Sequence, residues 1–131
     1  MGSNPTPSAT PNTALLVASR YFAELESLMS QAHPELAAVH KLEFKNLFGA
    51  VAGYVNGHIF ISFGKFGVAL RLPPDTLQHL FEEVDVERLR YFPKGHIKKQ
   101  YAVLPERIID DRNRFRKLID DSVEYALQTE D

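Results

Sequence analysis

The chain has 131 residues, of which 44% are hydrophobic and 24% charged, a balance typical of one globular domain with a hydrophobic core. Its formal net charge is −2, so any electrostatic partner must be recognised by a local patch. Because the sequence contains no cysteine, disulfides, thiol catalysis and cysteine-bound zinc are excluded. The sequence shows no long apolar run and no signal-like segment, which predicts a cytoplasmic protein without membrane contact.

The N-terminal end differs in composition from the rest of the chain. Residues 1–11 hold three of the eight prolines and almost no bulky apolar side chains, so they cannot bury enough surface to offset the entropy of ordering. We therefore predict a flexible tail over residues 1–11 and a single domain over residues 12–131.

The first predicted element is an amphipathic helix. It is expected to begin at Asn12 or Thr13 and to stop at His33-Pro34, because the residue before a proline is driven out of the α region. Its apolar side chains recur at helical spacing and predict a face that packs on a sheet. These residues are Ala14, Ala18, Tyr21, Phe22, Leu25, Leu28, Met29 and Ala32. A further short turn is expected after Pro34.

Four strands are predicted next, forming an antiparallel sheet. Residues 40–46 alternate apolar and polar side chains, as in a strand with one face on the core. The runs 50–55 and 58–63 flank Asn56-Gly57, a pair that suits a type I′ hairpin turn because both residues tolerate positive φ. Residues 66–72 follow a turn at Gly64-Lys65. The large apolar content of residues 58–63 predicts a central strand.

Two more helices complete the predicted α+β fold. Pro73-Pro74 ends the meander and Asp75 is expected to cap a short middle helix, whose shared apolar face consists of Leu77, Leu80, Phe81 and Val84. The C-terminal helix is expected to begin near residues 105–110, with a buried stripe formed by Ile108, Phe115, Leu118, Ile119, Ser122 and Ala126. The predicted architecture is an antiparallel β-sheet meander with the N-terminal, middle and C-terminal helices packed on it.

One segment stands out by its charge. From Arg88 to Gln100 there are five Lys or Arg, one His and no acid, with Tyr91 and Phe92 between them. Pro93-Lys94-Gly95 is typical of a turn, so this segment and residues 101–104 are predicted to form a second hairpin with a basic tip. The candidate contact residues for a protein or nucleic-acid partner are Arg88, Arg90, Tyr91, Lys94, His96, Lys98 and Lys99.

Two interpretations of this basic segment remain open. Five neighbouring cations repel one another unless anions lie close by. In the first interpretation, the anions belong to the fold itself, namely the acids just upstream, Glu82, Glu83, Asp85 and Glu87. In the second, the cations form an open patch beside aromatic rings, which suits phosphate contact and stacking in a nucleic acid, or contact with an acidic protein surface.

The sequence shows no catalytic or metal-binding motif. The five histidines lack metal-ligand spacing, and the best local pair, His79 and Glu83, has no third ligand nearby in sequence. Ser62 has no flanking glycines of the nucleophile-elbow type, and Gly64-Lys65 lacks the spacing of a phosphate loop. We therefore expect no cofactor, no metal and no enzymatic activity.

Several short motifs follow one another along the chain. They are Lys45 with Leu47-Phe48-Gly49, then Gly53-Tyr54-Val55-Asn56-Gly57 before His58-Ile59-Phe60, then Ala69-Leu70-Arg71-Leu72, and Tyr101-Ala102-Val103-Leu104-Pro105. A chain with these motifs resembles the TfoX N-terminal domain family over roughly residues 13–127. Leu47 and Ala50 depart from the family, which often has Met and Gly there. The resemblance implies a small bacterial α+β domain linked to regulation of DNA uptake, with no agreed enzymatic activity.

Two classes of function follow. The first is a non-enzymatic regulatory or adaptor domain that uses a surface patch to contact a protein or a nucleic acid. The second is a small-ligand-binding or enzymatic domain with a cavity lined by Tyr54, Phe60, Phe63 and Phe66. The first is favoured, because aromatic residues at these spacings more often form a core than a pocket. The sequence leaves the partner and the oligomeric state open.

Overall fold

The structure is a computed structural model that describes the backbone of residues 13–129 and the side chains of residues 20–129. The predicted tail, residues 1–11, lies outside the described residues. Within the described part, the helices are α1 Thr13–Ala32, α2 Leu36–Val39, α3 Pro74–Leu80, α4 Glu106–Ile109 and α5 Arg112–Gln128. The strands are β1 Leu42–Leu47, β2 Ala50–Val55, β3 His58–Gly64, β4 Gly67–Arg71, β5 Glu87–Leu89 and β6 Lys98–Leu104.

All six strands join one antiparallel sheet in the order β1-β2-β3-β4-β6-β5. The first four form the predicted meander, with β3 in the interior of the sheet. The chain then leaves through α3 and returns as the β5–β6 hairpin, which adds to the sheet beside β4. The predicted α+β fold and the predicted second hairpin are both confirmed, and β1 is an edge strand.

The main core lies between one face of the sheet and the two long helices. α1 packs over β1, β2 and β3, α5 packs over β2, β3 and β4, and the helices touch each other. Leu25 and Met29 of α1 and Phe115 and Ile119 of α5 are almost fully buried there. The helical spacing of these residues places them on one face, so burial of that face is the main source of stability.

The buried stripe of α5 contains a polar residue that the structure accounts for. Ser122 is fully buried, and its hydroxyl lies 2.8 Å from the carbonyl oxygen of Phe60 and 2.6 Å from that of Arg71. A buried hydroxyl is costly without a hydrogen-bond partner, and here it donates to the strands beneath it. The other residues of the predicted stripe are apolar and buried, and all of them lie on α5 except Ile108, which lies on α4.

Part of the other face of the sheet is buried as well, here by side chains that include Tyr91 of the β5–β6 loop. Ala52, Ser62 and Ala69 lie at matching register positions on β2, β3 and β4, and none of them is exposed. A second hydrophobic cluster forms here around Ala69, with the rings of Phe66 and Tyr91 packed against it. Small residues at these positions let the β5–β6 loop lie close to the sheet.

Local details of two helices differ from the prediction. Pro73 is the N-cap of α3 and Asp75 lies in its first turn without a capping hydrogen bond, because Pro74 already occupies the first helical position. Val84 falls beyond α3 and is 99% exposed. The C-terminal helix is broken at residues 110–111, where Asp111 caps α5 by accepting from the backbone N–H of Arg114 at 3.2 Å.

A β-bulge also changes the predicted side of one ring. Because Ile59, Ile61 and Phe63 alternate along β3, the sequence predicts Phe60 on the opposite face from Ile61, yet both belong to the main core. The pairing of β2 with β3 shifts register opposite Phe60, and an extra residue in one strand breaks the alternation of faces.

None of the helices in residues 13–129 has the length and hydropathy needed to cross a bilayer.

Candidate partner-binding surface

Two of the acids just upstream of the basic segment bind arginines on α4 and α5. Arg107 Nε donates to Asp85 Oδ2 at 2.7 Å, and Arg107 Nη2 donates to Glu83 Oε1 at 2.9 Å. Arg114 Nη1 donates to the same Glu83 oxygen at 3.1 Å, and its Nη2 to the other. Of the four acids in the first interpretation, Glu83 and Asp85 therefore do not pair with the basic segment, because their carboxylates bind Arg107 and Arg114.

The electrostatics of this acid–arginine cluster agree with its geometry. The hydrogen bonds from Arg114 and Arg107 hold the pKa of Glu83 below its usual value, and the bond from Arg107 lowers the pKa of Asp85. The same bonds raise the pKa of both arginines. Charged hydrogen bonds of this kind are stronger than neutral ones, so the cluster fastens the segment after α3 to the C-terminal helices.

The cations of the basic segment have no such partners. Among the described residues, no ion pair joins any Lys, Arg or His of Arg88–Gln100 to an acid. The two remaining upstream acids, Glu82 and Glu87, are exposed. The segment thus keeps the positive charge that its composition indicates, and its field is available to a partner.

The structure divides the predicted candidate residues between two sides of the sheet. Arg88 places its guanidinium 4.2 Å from the ring centroid of Phe81, and together with Lys99 it lines a groove of about 570 Å³ beside α3. Arg90 Nη1 donates to the carbonyl oxygen of Gly95 at 2.5 Å, so it closes the loop instead of projecting from it. Arg88 and Lys99 therefore border a different groove from the loop tip, whereas Arg90 is bound to the loop itself.

Tyr91 fastens the loop to the sheet. Its hydroxyl shares a hydrogen bond of 2.8 Å with the buried Ser62 Oγ, and its ring meets that of Phe66 edge-on, with centroids 5.5 Å apart. Burial raises the pKa of the Tyr91 phenol, and the bond to Ser62 partly opposes this effect. Tyr91 is thus a half-buried anchor that positions the loop, and its ring also lines the cavities of this region.

Two exposed phenylalanines lie beside this anchor: Phe92, which the sequence already places among the cations, and Phe48, which sequence reasoning missed. Phe48, in the β1–β2 turn, is 64% exposed, and Phe92, in the β5–β6 loop, is 55% exposed. The ring centroid of Phe48 lies 5.8 Å from that of Tyr91 and 6.0 Å from that of Phe92. The sequence did contain a signal, because Phe48-Gly49 occupies a two-residue turn where Asn-Gly or Asp-Gly is preferred.

The backbone of Phe48 is unusual. Its φ is +52° and that of Gly49 is +79°, so both turn residues are in the left-handed region. A bulky residue rarely adopts this conformation, and such outliers concentrate at functional sites. The strained residue here is also one of the two exposed rings.

Two adjoining cavities open around these rings, and both are lined by Phe48, Tyr91 and Phe92. One, of about 420 Å³, extends to Lys65 and Phe66, and the other, of about 220 Å³, extends to His96 and Lys98. Lys94 is exposed at the tip of the loop, next to Pro93 of the larger cavity. We call this region the aromatic–basic surface; it comprises Phe48, Lys65, Phe66, Tyr91, Phe92, Lys94, His96 and Lys98.

The structure separates the aromatic residues predicted to line a cavity under the meander. Phe60 and Phe63 belong to the main core, and Phe63 packs edge-on against Tyr21 at 5.2 Å between centroids. Tyr54 lies under Lys45, whose Nζ is 4.9 Å from the ring centroid. Phe66 packs on the other face with Tyr91. Tyr54, Phe60, Phe63 and Phe66 therefore do not line one common cavity, and only Phe66 borders a cavity beside the sheet.

The histidine pair also separates. His79 Nδ1 lies 3.2 Å from the carbonyl oxygen of Asp75, while Glu83 is bound to the two arginines. In the part of the chain with described side chains, no three His, Asp or Glu residues come together in an arrangement that could hold a metal ion. The buried histidine, His33, instead pairs with Asp120, with 2.5 Å between Nε2 and Oδ1.

A six-stranded antiparallel sheet with N-terminal, middle and C-terminal helices packed on it defines a small α+β domain. The family model of the TfoX N-terminal domain matches residues 35–126, well over half of the chain. The chain therefore belongs to the TfoX N-terminal domain family. The matched range begins later than the resemblance seen in the sequence, but it contains all six strands and the whole aromatic–basic surface. No curated protein matches the chain.

Proposed function

We propose that the chain is a non-enzymatic regulatory or adaptor domain that contacts its partner through the aromatic–basic surface. The observation that carries the proposal is the coincidence, on one surface, of two exposed phenyl rings with cations that lack ion pairs among the described residues. Exposed rings surrounded by charge are typical of interaction sites, whereas an ordinary solvated loop has no reason to keep both.

The conformation of Phe48 supports the same proposal. A left-handed backbone costs a bulky residue about 1–2 kcal/mol, and with Phe48 64% exposed, its packing on Tyr91 and Phe92 yields only part of what full burial would give. Asn or Gly would fit the turn without strain. Contact of the exposed Phe48 ring with a partner would explain why a residue with this backbone strain stands in the turn.

Membership of the TfoX N-terminal domain family supports a regulatory role. We extend to this chain the link to bacterial DNA uptake that the resemblance implies, with the domain acting in the cytoplasm. The proposed activity is contact with a partner, with no chemical step performed by the domain. The partner is defined by what it must offer, namely negative charge together with planar or apolar groups.

The test is retention of a partner from a lysate of the native host, with and without nuclease treatment. The tagged parent is compared with a Lys94→Glu, Lys98→Glu variant and with a control, Lys41→Glu, Lys117→Glu, which makes the same change in net charge at exposed residues elsewhere. We expect parent and control to retain a partner that the first variant loses. Retention that is the same for all three proteins would contradict the proposal.

A further inference from the structure

We propose that the aromatic–basic surface binds a single-stranded nucleic acid, with bases against Phe48 and Phe92 and phosphates against the surrounding lysines. This inference rests on the proposed function and specifies the chemical class of its partner. Neither the family match nor the fold specifies that class. The inference is drawn from the rings, the cations and the cavities between them.

The rings offer faces on which bases can stack. Phe48 and Phe92 meet at an interplanar angle of 61°, and Phe48 and Tyr91 at 65°. When the edge of one ring meets the face of another, the pair cannot cover both faces of each ring. More than half of each phenylalanine is exposed, so ring surface is left for a ligand. Stacking of this kind tolerates any base, because every base has a π-face.

The cations lie on both sides of the rings. Of the lysines, Lys65 lines the larger cavity and Lys98 the smaller one, while the same three aromatic residues line both. A strand that runs from one cavity to the other therefore passes the rings with a cation at each end. Such alternation of aromatic faces and positive charge is the arrangement by which single strands are held without sequence preference.

Duplex DNA and acidic peptides fit this surface less well. In a duplex the base faces are stacked on one another, so a ring on the protein surface has nothing to stack on. An acidic peptide satisfies the lysines but supplies no planar groups at regular intervals for Phe48 and Phe92. The larger cavity, about 420 Å³, is also within the size range of sites that enclose small organic groups.

The test is fluorescence anisotropy with a labelled oligothymidylate of about 12 nucleotides, inside the range of roughly 4–16 that a small binding domain covers. The same strand annealed to its complement is the duplex probe, and polyglutamate is the competitor. We expect the single strand to bind at least about five times more tightly than the duplex, since only the single strand offers stacking. Binding should weaken steeply as salt rises, because phosphate contacts release counterions.

Removing the rings separates stacking from charge. Phe48→Asn and Phe92→Ser leave net charge unchanged, and Asn suits the left-handed backbone at residue 48, so the fold should be retained. We expect each change to weaken binding of the single strand by about tenfold, the typical effect of losing one stacked ring. Val84→Ser is the matched control, because it removes a fully exposed apolar side chain away from this surface and should leave the affinity unchanged.

Reversing charge tests the phosphate contacts. The Lys94→Glu, Lys98→Glu variant should lose affinity for the single strand and show a weaker salt dependence, whereas Lys41→Glu, Lys117→Glu should bind like the parent. Circular dichroism of each variant verifies that the fold is intact before binding is measured.

The outcomes distinguish this inference from the proposed function. Equal affinity for single strand and duplex, or binding that survives loss of both rings, would overturn the single-strand inference. If no oligonucleotide binds at low salt while a nuclease-resistant, surface-dependent partner is retained from lysate, the partner is a protein, and the proposed function stands without this inference. If neither oligonucleotide nor any surface-dependent partner is found, both fail.

Discussion

Two turns at opposite ends of β2 have nearly the same backbone and very different side chains. In the β2–β3 turn, Asn56 and Gly57 have φ values of +50° and +87°; in the β1–β2 turn, Phe48 and Gly49 have φ values of +52° and +79°. The first pair is the one that type I′ turns prefer, and the second places a phenylalanine where the turn favours Asn or Gly. The comparison separates a turn whose residues suit its backbone from one whose first residue does not.

Asn56 is supported by its neighbours in the chain and the sheet. Its side-chain oxygen accepts from the backbone N–H of Lys41 at 2.9 Å, and its own N–H donates to the carbonyl oxygen of Lys41 at 2.8 Å. Phe48 instead relies on rings of the β5–β6 loop, more than forty positions away in sequence. Strain at a residue with no local support persists only where the surrounding structure imposes it.

The largest expected effect is on the glycines of the two turns. Gly57→Val and Gly49→Val should each destabilise the domain by about 1–3 kcal/mol, because a β-branched residue is strained at positive φ. An added Cβ would meet no atom within 4 Å at either glycine, so the loss reports backbone conformation alone. Thermal melts measure it, and an unchanged midpoint for either variant would show that its turn is not of the primed type.

Exchanging the first residue of the local turn tests the role of its side chain. Asn56→Phe should cost about 1–2 kcal/mol, since it removes the hydrogen bond to the Lys41 N–H and introduces the strain that Phe48 carries. Urea denaturation gives the free energy of unfolding. A loss much smaller than this would mean that the β2–β3 turn tolerates phenylalanine as well as the β1–β2 turn does, and the contrast between them would disappear.

The anchor beneath the Phe48 turn is tested by Tyr91→Phe. Loss of the Tyr91 hydroxyl leaves the buried Ser62 hydroxyl without its partner and should lower the free energy of unfolding by about 1 kcal/mol. Adding Ser62→Ala should recover most of that loss, because replacing both partners of a hydrogen bond is nearly neutral. Amide exchange should accelerate in the loop and at the Phe48 turn but not at Asn56. Equal acceleration at both turns would indicate a global effect.

The smallest expected effect has the opposite sign. Phe48→Asn should stabilise the domain by about 0.5–1 kcal/mol, because asparagine adopts the left-handed conformation with less strain. Denaturant midpoints are measured alongside the binding assay. A variant that is more stable than the parent but binds more weakly is what a residue kept for function predicts. A destabilised Phe48→Asn variant would show instead that the ring is mainly structural.

Much of the fold could be predicted because its determinants are local. Asn56-Gly57 specifies a primed turn through sterics of two residues, and Pro34 ends α1 through a clash with the residue before it. The buried stripe of α5 follows from helical periodicity. The break between α4 and α5 was missed, because capping by Asp111 competes with helix continuation in a way that apolar periodicity does not reveal.

The candidate surface was predicted only in part. Lys94, His96 and Lys98 belong to the same surface, as the clustering of charge indicated, but Phe48 and Lys65 come from turns distant in sequence. Arg71 shows the same limit of local reasoning in another place. It alternates as a strand residue, yet it is buried, with its Nε donating to Gln100 Oε1 at 2.8 Å. Its burial depends on neighbours in α5 and β6, and the alternation of side chains along one strand gives no information about those neighbours.

The sequence by itself determined the fold class, the order of the elements and the positive charge of the basic segment, since each depends on composition, periodicity or the backbone preferences of adjacent residues. The tertiary structure decided how the charges are partnered. Glu83 and Asp85 form ion pairs with Arg107 and Arg114, whereas the cations of the basic segment form none with an acid of the described residues. It also decided which rings are exposed beside those cations. Both outcomes depend on contacts between segments more than twenty residues apart, and the energies of such contacts depend on geometry that only the assembled sheet provides.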